Sequence, residues 1–210
     1  MSNGNTENTS KYEEEIKIIL VGESGTGKTS LISSVQGLTF YEGTQLSTVI
    51  SSFIKLSIKI SEKDYCINLW DTIGQERYRS LTNIFLNGSK IVIFVFDITN
   101  EESFNELDFW FKLIKDELGK NVIKGIAANK YDLIDEQKID EDTIDEYAKK
   151  KGVPFAFTTA TDIKTFSIFL KKLIKKYLEK EKNNDEPVDN KGKKIGDNLQ
   201  KNNSTNTKCC

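Results

Sequence analysis

The stretch GESGTGKT, residues 22–29, constrains the fold more than any other part of the sequence. It matches the pattern G-x-x-x-x-G-K-[ST] and lies between a β-rich run, residues 16–22, and a helical pattern. Glycines let the backbone curve round a phosphate, while successive N–H groups from Ser24 to Thr29 would point into the concavity. Lys28 would reach the β- and γ-phosphates, and the Thr29 hydroxyl would ligate Mg²⁺. The predicted phosphate-binding residues are Gly22, Glu23, Ser24, Gly25, Thr26, Gly27, Lys28, Thr29 and Ser30.

Strand-like and helix-like segments alternate along the rest of the chain. Strands are predicted at 51–60, 65–70, 90–99, 122–130 and 153–160, with a turn at 62–64, and helices at 101–118, 139–152 and 163–180. On the last helix, Phe166, Phe169 or Leu170, Leu173 and Tyr177 form an apolar stripe. This alternation predicts an open, mostly parallel α/β sheet with helices on both faces.

Composition divides the chain into three parts and excludes several classes of protein. Residues 1–13 read as a disordered arm, 14–180 as one domain, and 181–210 as a flexible tail rich in Asn, Lys and Asp. With 30 basic and 32 acidic residues, the chain gives no support for binding a nucleic-acid polymer. The absence of histidine excludes Ser-His-Asp sites and His-ligated zinc. The longest apolar run, 91–96, is too short to span a bilayer, and Cys66 is expected in the core.

A second motif, WDTIGQE (70–76), follows the predicted strand 65–70. Asp71 ends a hydrophobic strand next to the phosphate-loop strand, where a carboxylate can hold the Mg²⁺ shell, usually through water. Gly74 would offer a backbone N–H to a γ-phosphate, and Gln75 could orient an attacking water. Taken alone, the same residues could form an ordinary polar turn.

A third motif, NKYD (129–132), follows the strand that ends in GIAA. Asn129 and Asp132 stand three residues apart, and the Asp132 carboxylate can accept from N1–H and the 2-amino group of guanine. Adenine offers neither donor, so an adenine nucleotide would leave buried polar groups unpaired. Four residues alone would be weak evidence, but in this order behind the other two motifs they indicate a guanine site.

With these motifs in order, the chain resembles the Ras superfamily of small GTPases, and within it the Rab family. The resemblance covers 14–180 and rests on GESGTGKT, Thr48, WDTIGQE, NKYD and TTAT (158–161). The Rab affinity rests on WDT, RYRSLT (77–82), FVFDIT (94–99) and the final Cys-Cys. The resemblance implies a six-stranded sheet with one antiparallel strand, five surrounding helices, a Mg²⁺ cofactor and a monomer that hydrolyses GTP slowly.

The resemblance also implies roles for individual segments. Residues 37–48 look like switch I and 71–86 like switch II, with Thr48 binding Mg²⁺ and the γ-phosphate when GTP is bound. Phe40 or Tyr41 would stack on the base; the sequence does not decide between them. Lys130 belongs to the NKYD base-binding motif, and Thr159, Ala160 and Thr161 stand where the family has Ser-Ala-Lys, with the Ala160 amide contacting the guanine oxygen.

The switch segments depart from the Rab pattern. After Thr48 the chain reads Val49-Ile50-Ser51-Ser52-Phe53, where a typical Rab reads Ile-Gly-Val-Asp-Phe, and 85–89 reads Phe-Leu-Asn-Gly-Ser in place of Tyr-Tyr-Arg-Gly-Ala. Ile73 replaces the usual alanine. These departures leave nucleotide binding intact and alter the surfaces offered to partners.

The tail ends in Cys209-Cys210, which resembles the doubly geranylgeranylated end of Rab proteins. Two lipid chains give stable anchoring where one gives only marginal binding. Five lysines and one acid, Asp197, follow from Lys191 onward and would assist attachment to anionic lipids. The implied location is the cytoplasmic face of a membrane with a cytosolic pool, and the implied partners are an exchange factor, a GTPase-activating protein, effectors and prenylation or GDI-type chaperones.

Two other readings compete with a regulated GTPase. The first is a GTP-binding membrane scaffold with very slow turnover, because the switches are altered. The second is a P-loop kinase of small molecules, which needs a lid that supplies arginines; the chain has only Arg77 and Arg79, and NKYD has no place in that class. Residues 37–48 contain no arginine, so an arginine finger would have to come from a partner.

Overall fold

The computed structural model describes residues 15–35, 53–71 and 85–185. Within them, six strands form one sheet: β1 Glu15–Val21, β2 Phe53–Ile60, β3 Lys63–Trp70, β4 Ile91–Asp97, β5 Ile123–Asn129 and β6 Phe155–Phe157. The strand order is β2-β3-β1-β4-β5-β6, and β2 alone runs antiparallel to its neighbour. The predicted six-stranded, mostly parallel sheet is confirmed.

Five α-helices lie in the described residues: α1 Lys28–Val35, α2 Glu101–Asn105, α3 Leu107–Leu118, α4 Glu141–Lys151 and α5 Ile163–Asp185. A 3₁₀ helix, Tyr131–Glu136, follows β5. The α4 helix begins at the N-cap Asp140, whose carboxylate accepts from the Thr143 amide, and ends at Gly152 with a left-handed backbone.

Four predicted boundaries are corrected by the structure. The hairpin turns at Ser61 and Glu62, both with positive φ, so 63–64 belong to β3 and not to the turn. The predicted helix 101–118 is two helices, because the backbone at Glu106, with ψ −8°, departs from regular α-helical geometry between them. The last strand pairs only over Phe155–Phe157, and α5 continues to Asp185, beyond its predicted end at 180.

The core has two layers, one on each face of the sheet. Alternate β1 residues point to opposite faces: Ile18 packs in a cluster with α1 and α5, and Ile19 in a cluster with α3 and α4. All seven β4 residues are buried, as expected for a central parallel strand. The predicted α5 stripe of Phe166, Phe169, Leu170, Leu173 and Tyr177 is buried, and so is Cys66, where burial raises the pKa of the thiol.

None of the helices in the described ranges has the length and apolar character needed to cross a membrane. Four of the five parallel strands, β1, β3, β4 and β5, end at the same edge of the sheet. At that edge lie Gly22, Asp71, Asp97 and Asn129. Crevices beyond the carboxyl ends of parallel strands are where open α/β sheets bind ligands.

Candidate nucleotide-binding site

The loop between β1 and α1 curls round the ammonium group of Lys28. This side chain is buried, and its Nζ donates to the carbonyl oxygens of Gly22 and Glu23, each at 2.8 Å. The Thr26 hydroxyl donates to the same Glu23 carbonyl at 2.9 Å. The lysine is therefore held inside the loop, and Thr29, the next residue, is exposed at the first turn of α1.

Two glycines of this loop stand where no side chain would fit. A Cβ on Gly22, at φ +148°, would lie 2.0 Å from the Val95 carbonyl oxygen of the neighbouring strand. A Cβ on Gly27, at φ +90°, would lie 2.4 Å from Nδ2 of Asn129. Both contacts are far shorter than atoms tolerate, and both backbones lie in the region that favours glycine. The loop is thus pressed against β4 and the start of the NKYD motif.

Asn129 joins the first motif to the third. Its Nδ2 donates to the Thr26 carbonyl at 2.8 Å, and its Oδ1 accepts from the Thr158 hydroxyl at 3.2 Å. Both Asn129 and Thr158 are buried. One amide side chain therefore ties together the phosphate loop, the end of β5 and the loop after β6.

Lys130 turns the chain at the end of β5 with a left-handed backbone, φ +63°. Its ammonium forms an ion pair of 2.6 Å with Asp97, the last residue of β4. Burial by itself raises the pKa of Asp97, but hydrogen bonds from Lys130 and from the amide and hydroxyl of Thr99 outweigh it, so the pKa lies below its ordinary value. Asp97 is therefore a carboxylate at neutral pH and holds Lys130 beside the site.

Asp132 is braced by the loop after β6. The Thr159 hydroxyl donates to the Asp132 carboxylate, and the Thr159 oxygen accepts from the Thr161 amide at 3.1 Å. The two threonine hydroxyls lie 2.8 Å apart. Since Thr159 gives its proton to Asp132, the Thr161 hydroxyl is the donor between the two. Thr161 thus supports the Asp132 carboxylate through Thr159. The sequence showed Thr161 only as a replacement for the lysine of the family pattern and did not suggest this role.

Asp71 directly follows β3, which runs parallel to β1. It is 2 % exposed, so its carboxylate is enclosed at the edge where the phosphate loop lies. The Thr29 hydroxyl and the Asp71 carboxylate are both hard oxygen donors, which suits Mg²⁺. The donor chemistry of these two residues fits the expected ion.

The remaining predicted site residues lie outside the described part of the chain. They are Phe40, Tyr41, Thr48, Gly74, Gln75, Cys209 and Cys210, together with Ile73. The structure does bring together the described parts of the first and third motifs and of the TTAT loop, including Ala160, which lies between Thr159 and Thr161.

Similarity to known proteins shows which family the chain belongs to. A model of the Ras family matches residues 17–179. The GTP-binding protein YPT1 of Saccharomyces cerevisiae is 32% identical over 206 residues, covering 96% of this chain and 99% of the yeast protein. RABD2a of Arabidopsis thaliana is 34% identical, covering 72% of this chain and 74% of its own, and Rab-13 of Bos taurus is 34% identical, covering 71% and 73%. The chain belongs to the Rab family of Ras-superfamily GTPases.

This Rab-family chain is therefore a GTP hydrolase built on the fold of small GTPases. Two contacts near its site were not predicted from the sequence. Trp110 of α3 donates from Nε1 to the Glu23 carboxylate at 3.3 Å, which fastens α3 to the phosphate loop. Asp97 holds Lys130. The sequence signal for Asp97 was available, because the acid in FVFDIT ends a fully buried strand in the same way as Asp71.

An aromatic cluster of this GTPase was also not predicted from the sequence. Phe53 of β2 is 43 % exposed and stacks on Trp70 of β3, with ring centroids 4.8 Å apart, and Phe85 lies 6.5 Å from Trp70. Phe53 directly follows segment 37–52. Trp70 precedes segment 72–84, and Phe85 follows it. Phe53 lies opposite Trp70 in the antiparallel pairing of β2 with β3, and this register is the feature that could have identified the cluster.

Proposed function

We propose that the chain is a guanine-nucleotide switch that binds GTP and GDP with Mg²⁺ and hydrolyses GTP. The observation that carries this proposal is the bonding of Asn129 to both the phosphate loop and Thr158, with Asp132 braced by Thr159. A carboxylate braced in this way can accept two hydrogen bonds from guanine. Adenine has no N1–H and no 2-amino group, so the same carboxylate would be left unpaired against it.

The phosphates would lie on the loop 22–29. Backbone N–H groups from Ser24 to Thr29, together with the N-terminus of α1, offer donors to the oxygens, and Lys28 supplies a buried positive charge. Thr29 and Asp71 would hold Mg²⁺, directly and through water, and the ion would neutralise charge on the β- and γ-phosphates.

Hydrolysis and switching involve residues outside the described ranges. Gln75 would orient the attacking water, the Gly74 amide would meet the γ-phosphate, and Thr48 would close over it when GTP is bound. Loss of the γ-phosphate would release segments 37–48 and 71–86. Without an arginine in 37–48, intrinsic hydrolysis would be slow, and a GTPase-activating protein would add a factor on the order of 10³–10⁵.

The Phe53, Trp70 and Phe85 cluster supports effector recruitment. Exposed aromatic side chains are enriched at protein interfaces, because they bury much area at little entropic cost. The cluster adjoins the two segments whose arrangement would depend on the nucleotide. An effector that contacts both segments would bind the GTP-bound protein in preference to the GDP-bound protein. An exchange factor that contacts them would have the opposite preference.

Lipids on Cys209 and Cys210 would attach the protein to the cytoplasmic face of a membrane, with a cytosolic pool held by a GDI-type chaperone. The similarity to Rab and Ypt proteins supports a role in vesicle traffic. A membrane scaffold that binds GTP and scarcely hydrolyses it is the second candidate, since Ile73 replaces the usual alanine two residues before Gln75.

Replacing Thr29 tests the switch. Thr29→Asn removes the hydroxyl, so the variant is expected to lose Mg²⁺-dependent affinity for GTP and to hold GDP or no nucleotide. Thr29→Ser keeps the hydroxyl and serves as the matched control. Titrations with fluorescent GTP and GDP, with and without Mg²⁺, provide the measurement. Equal Mg²⁺ dependence of GTP binding in the Asn variant and in wild type would remove Thr29 from the metal site.

A further inference from the structure

Charge is separated between the two layers of this domain, although the formal net charge of the chain is only −2. On the α3 and α4 side, residues 101–118 contain six acids and two lysines, and 131–151 contain eight acids and four lysines. On the other side of the sheet, α5 carries seven lysines and three acids, and none of these acids precedes Glu179. The domain therefore has an acidic face and a basic face.

Four lysines on the outer side of α5 are exposed in the part of the chain that the structure describes. Phe166, Leu173 and Tyr177 bury one side of the helix against the sheet, and the opposite side presents a shallow groove beside the edge strand β6. The groove is lined by Pro154, Ile168, four lysines and one acid, Glu179, and we call Ile168 together with the four lysines, Lys171, Lys172, Lys175 and Lys176, the α5 lysine face. All four lysines are exposed, and no ion pair within the described ranges occupies their ammonium groups.

An apolar residue lies in the middle of these charges. Ile168 is 67 % exposed, more than any other large apolar side chain among the described residues. Its place one turn before Lys171 and Lys172 puts it on the same side of the helix. Helices that bind a membrane surface combine basic side chains with apolar side chains that enter the headgroup layer, and Ile168 among the four lysines offers one such apolar side chain.

The spacing of the lysines favours a broad anionic surface over a single anion. From Lys171 to Lys176 the helix rises roughly 8 Å, and the ammonium groups spread along it and do not converge on one point. Anionic lipid headgroups present charge over such an area. Because the net charge of the protein is slightly negative, the separation of charge decides which face approaches such a membrane.

We propose that the α5 lysine face lies against an anionic membrane surface and sets the orientation of the domain, with Ile168 entering the headgroup layer. The inference rests on the proposed membrane attachment and adds an orientation to it. The acidic α3 and α4 layer, on the opposite face of the sheet, then points away from the membrane. Lipids on Cys209 and Cys210 hold the protein at the membrane, and the α5 lysine face sets the orientation of the domain.

The test uses the full chain, bound to GDP and without lipid on its cysteines. Cosedimentation is measured with vesicles of phosphatidylcholine alone and with phosphatidylserine added. Lys171→Gln, Lys172→Gln, Lys175→Gln and Lys176→Gln are combined in one variant. Each lysine close to an anionic surface contributes roughly a fivefold factor, so the variant should bind phosphatidylserine vesicles at least about tenfold more weakly. The wild-type binding should fall as salt is raised.

A matched control carries the same change of net charge on the opposite layer: Lys112→Gln, Lys115→Gln, Lys138→Gln and Lys150→Gln, all exposed. It should bind anionic vesicles as tightly as wild type. Both variants keep every lysine of the tail, so a difference between them reports the helix face alone. GDP affinity, which should be unchanged in both, verifies that they are folded.

Equal vesicle binding by the α5 variant and its control would overturn the proposal. If the α5 variant nevertheless mislocalised in cells, the face would bind an acidic protein instead. A separate experiment, in which both Cys209 and Cys210 are deleted, tests the lipid anchor. Continued membrane association in cells would contradict the proposed lipidation, whatever the vesicle assay shows. The two proposals can therefore fail independently.

Discussion

At the scale of single residues, Asp97 makes a pH-dependent contribution to stability. Its pKa is lower in the folded protein than the ordinary value of about 4 in an unfolded chain. The stabilisation is therefore fully present above that unfolded value and is lost as the pH falls through the lower, folded value. Asp97 is almost fully buried and its partner Lys130 is about one-third exposed at the side chain.

Asp97→Asn should lower stability at neutral pH by about 1–2 kcal/mol, because Lys130 loses a charged partner. The difference between variant and wild type should shrink as the pH falls below about 4 and through the lower pKa of folded Asp97, because wild type then also loses the ion pair. Thermal unfolding of GDP-bound protein at a series of pH values measures this. A difference that stays constant down to acid pH would contradict the assigned role of the ion pair.

Ile73 is the residue for which the altered switch makes the sharpest prediction. Similar proteins have alanine there, and isoleucine adds three carbons and a branched Cβ that restricts χ1. If this displaces the Gly74 amide or Gln75 by about 1 Å, hydrolysis would slow by roughly a hundredfold. Ile73→Ala should therefore hydrolyse GTP faster than wild type in single turnover and release nucleotide at a different rate.

A GTPase-activating protein that brings its own glutamine should mask much of this difference, so the comparison is made without one. If Ile73→Ala neither hydrolyses nor releases nucleotide faster, Ile73 only packs against neighbours such as Ile50 or Leu81. The second candidate function, a scaffold with little turnover, would then lose its support from this residue.

At the scale of elements, the contact from Trp110 to Glu23 couples α3 to the phosphate loop. A hydrogen bond of this kind contributes roughly 1 kcal/mol, which is about a fivefold factor in a rate or affinity. Glu23→Ala and Trp110→Phe should each accelerate GDP release by a few-fold, and the double variant should add little. Glu23→Gln keeps an acceptor and should behave like wild type.

Release of fluorescent GDP is measured for the four variants and for wild type. Additive effects of Glu23→Ala and Trp110→Phe would show that the two side chains act separately. Elsewhere on α3, Asp108 accepts from Tyr147 at 2.9 Å and pairs with Lys151, contacts that join α3 to α4.

The order and type of the elements were predictable, because each depends on local pattern. The alternation of strands and helices, the buried β4 run and the amphipathic α5 all follow from periodicity within a few residues. Boundaries were less predictable. The turn at Ser61 and Glu62 needs positive φ at two residues that are not glycine, and the pairing of β2 with β3 imposes it.

At the scale of the whole molecule, the motifs predicted which segments meet but not how they are joined. Asn129 was expected to touch the base, and the structure shows it bonded to Thr26 and Thr158. Those contacts join residues 103 and 29 positions apart, so no local pattern encodes them. The separation of charge between α5 and the opposite layer is present in the sequence, but only the fold shows that these segments occupy opposite faces.

The central claim, that this edge of the sheet reads guanine, is tested most directly by Asp132→Asn. Binding of GDP, xanthosine diphosphate and ADP is measured for wild type, for this variant and for Asp135→Asn, an exposed control in the same 3₁₀ helix. Wild type and control should prefer GDP over both competitors by about a hundredfold or more. Asp132→Asn should prefer the xanthine nucleotide, because its amide can donate to the oxygen that xanthine carries in place of the amino group. Equal binding of ADP and GDP by wild type, or an undiminished GDP preference in Asp132→Asn, would contradict the account.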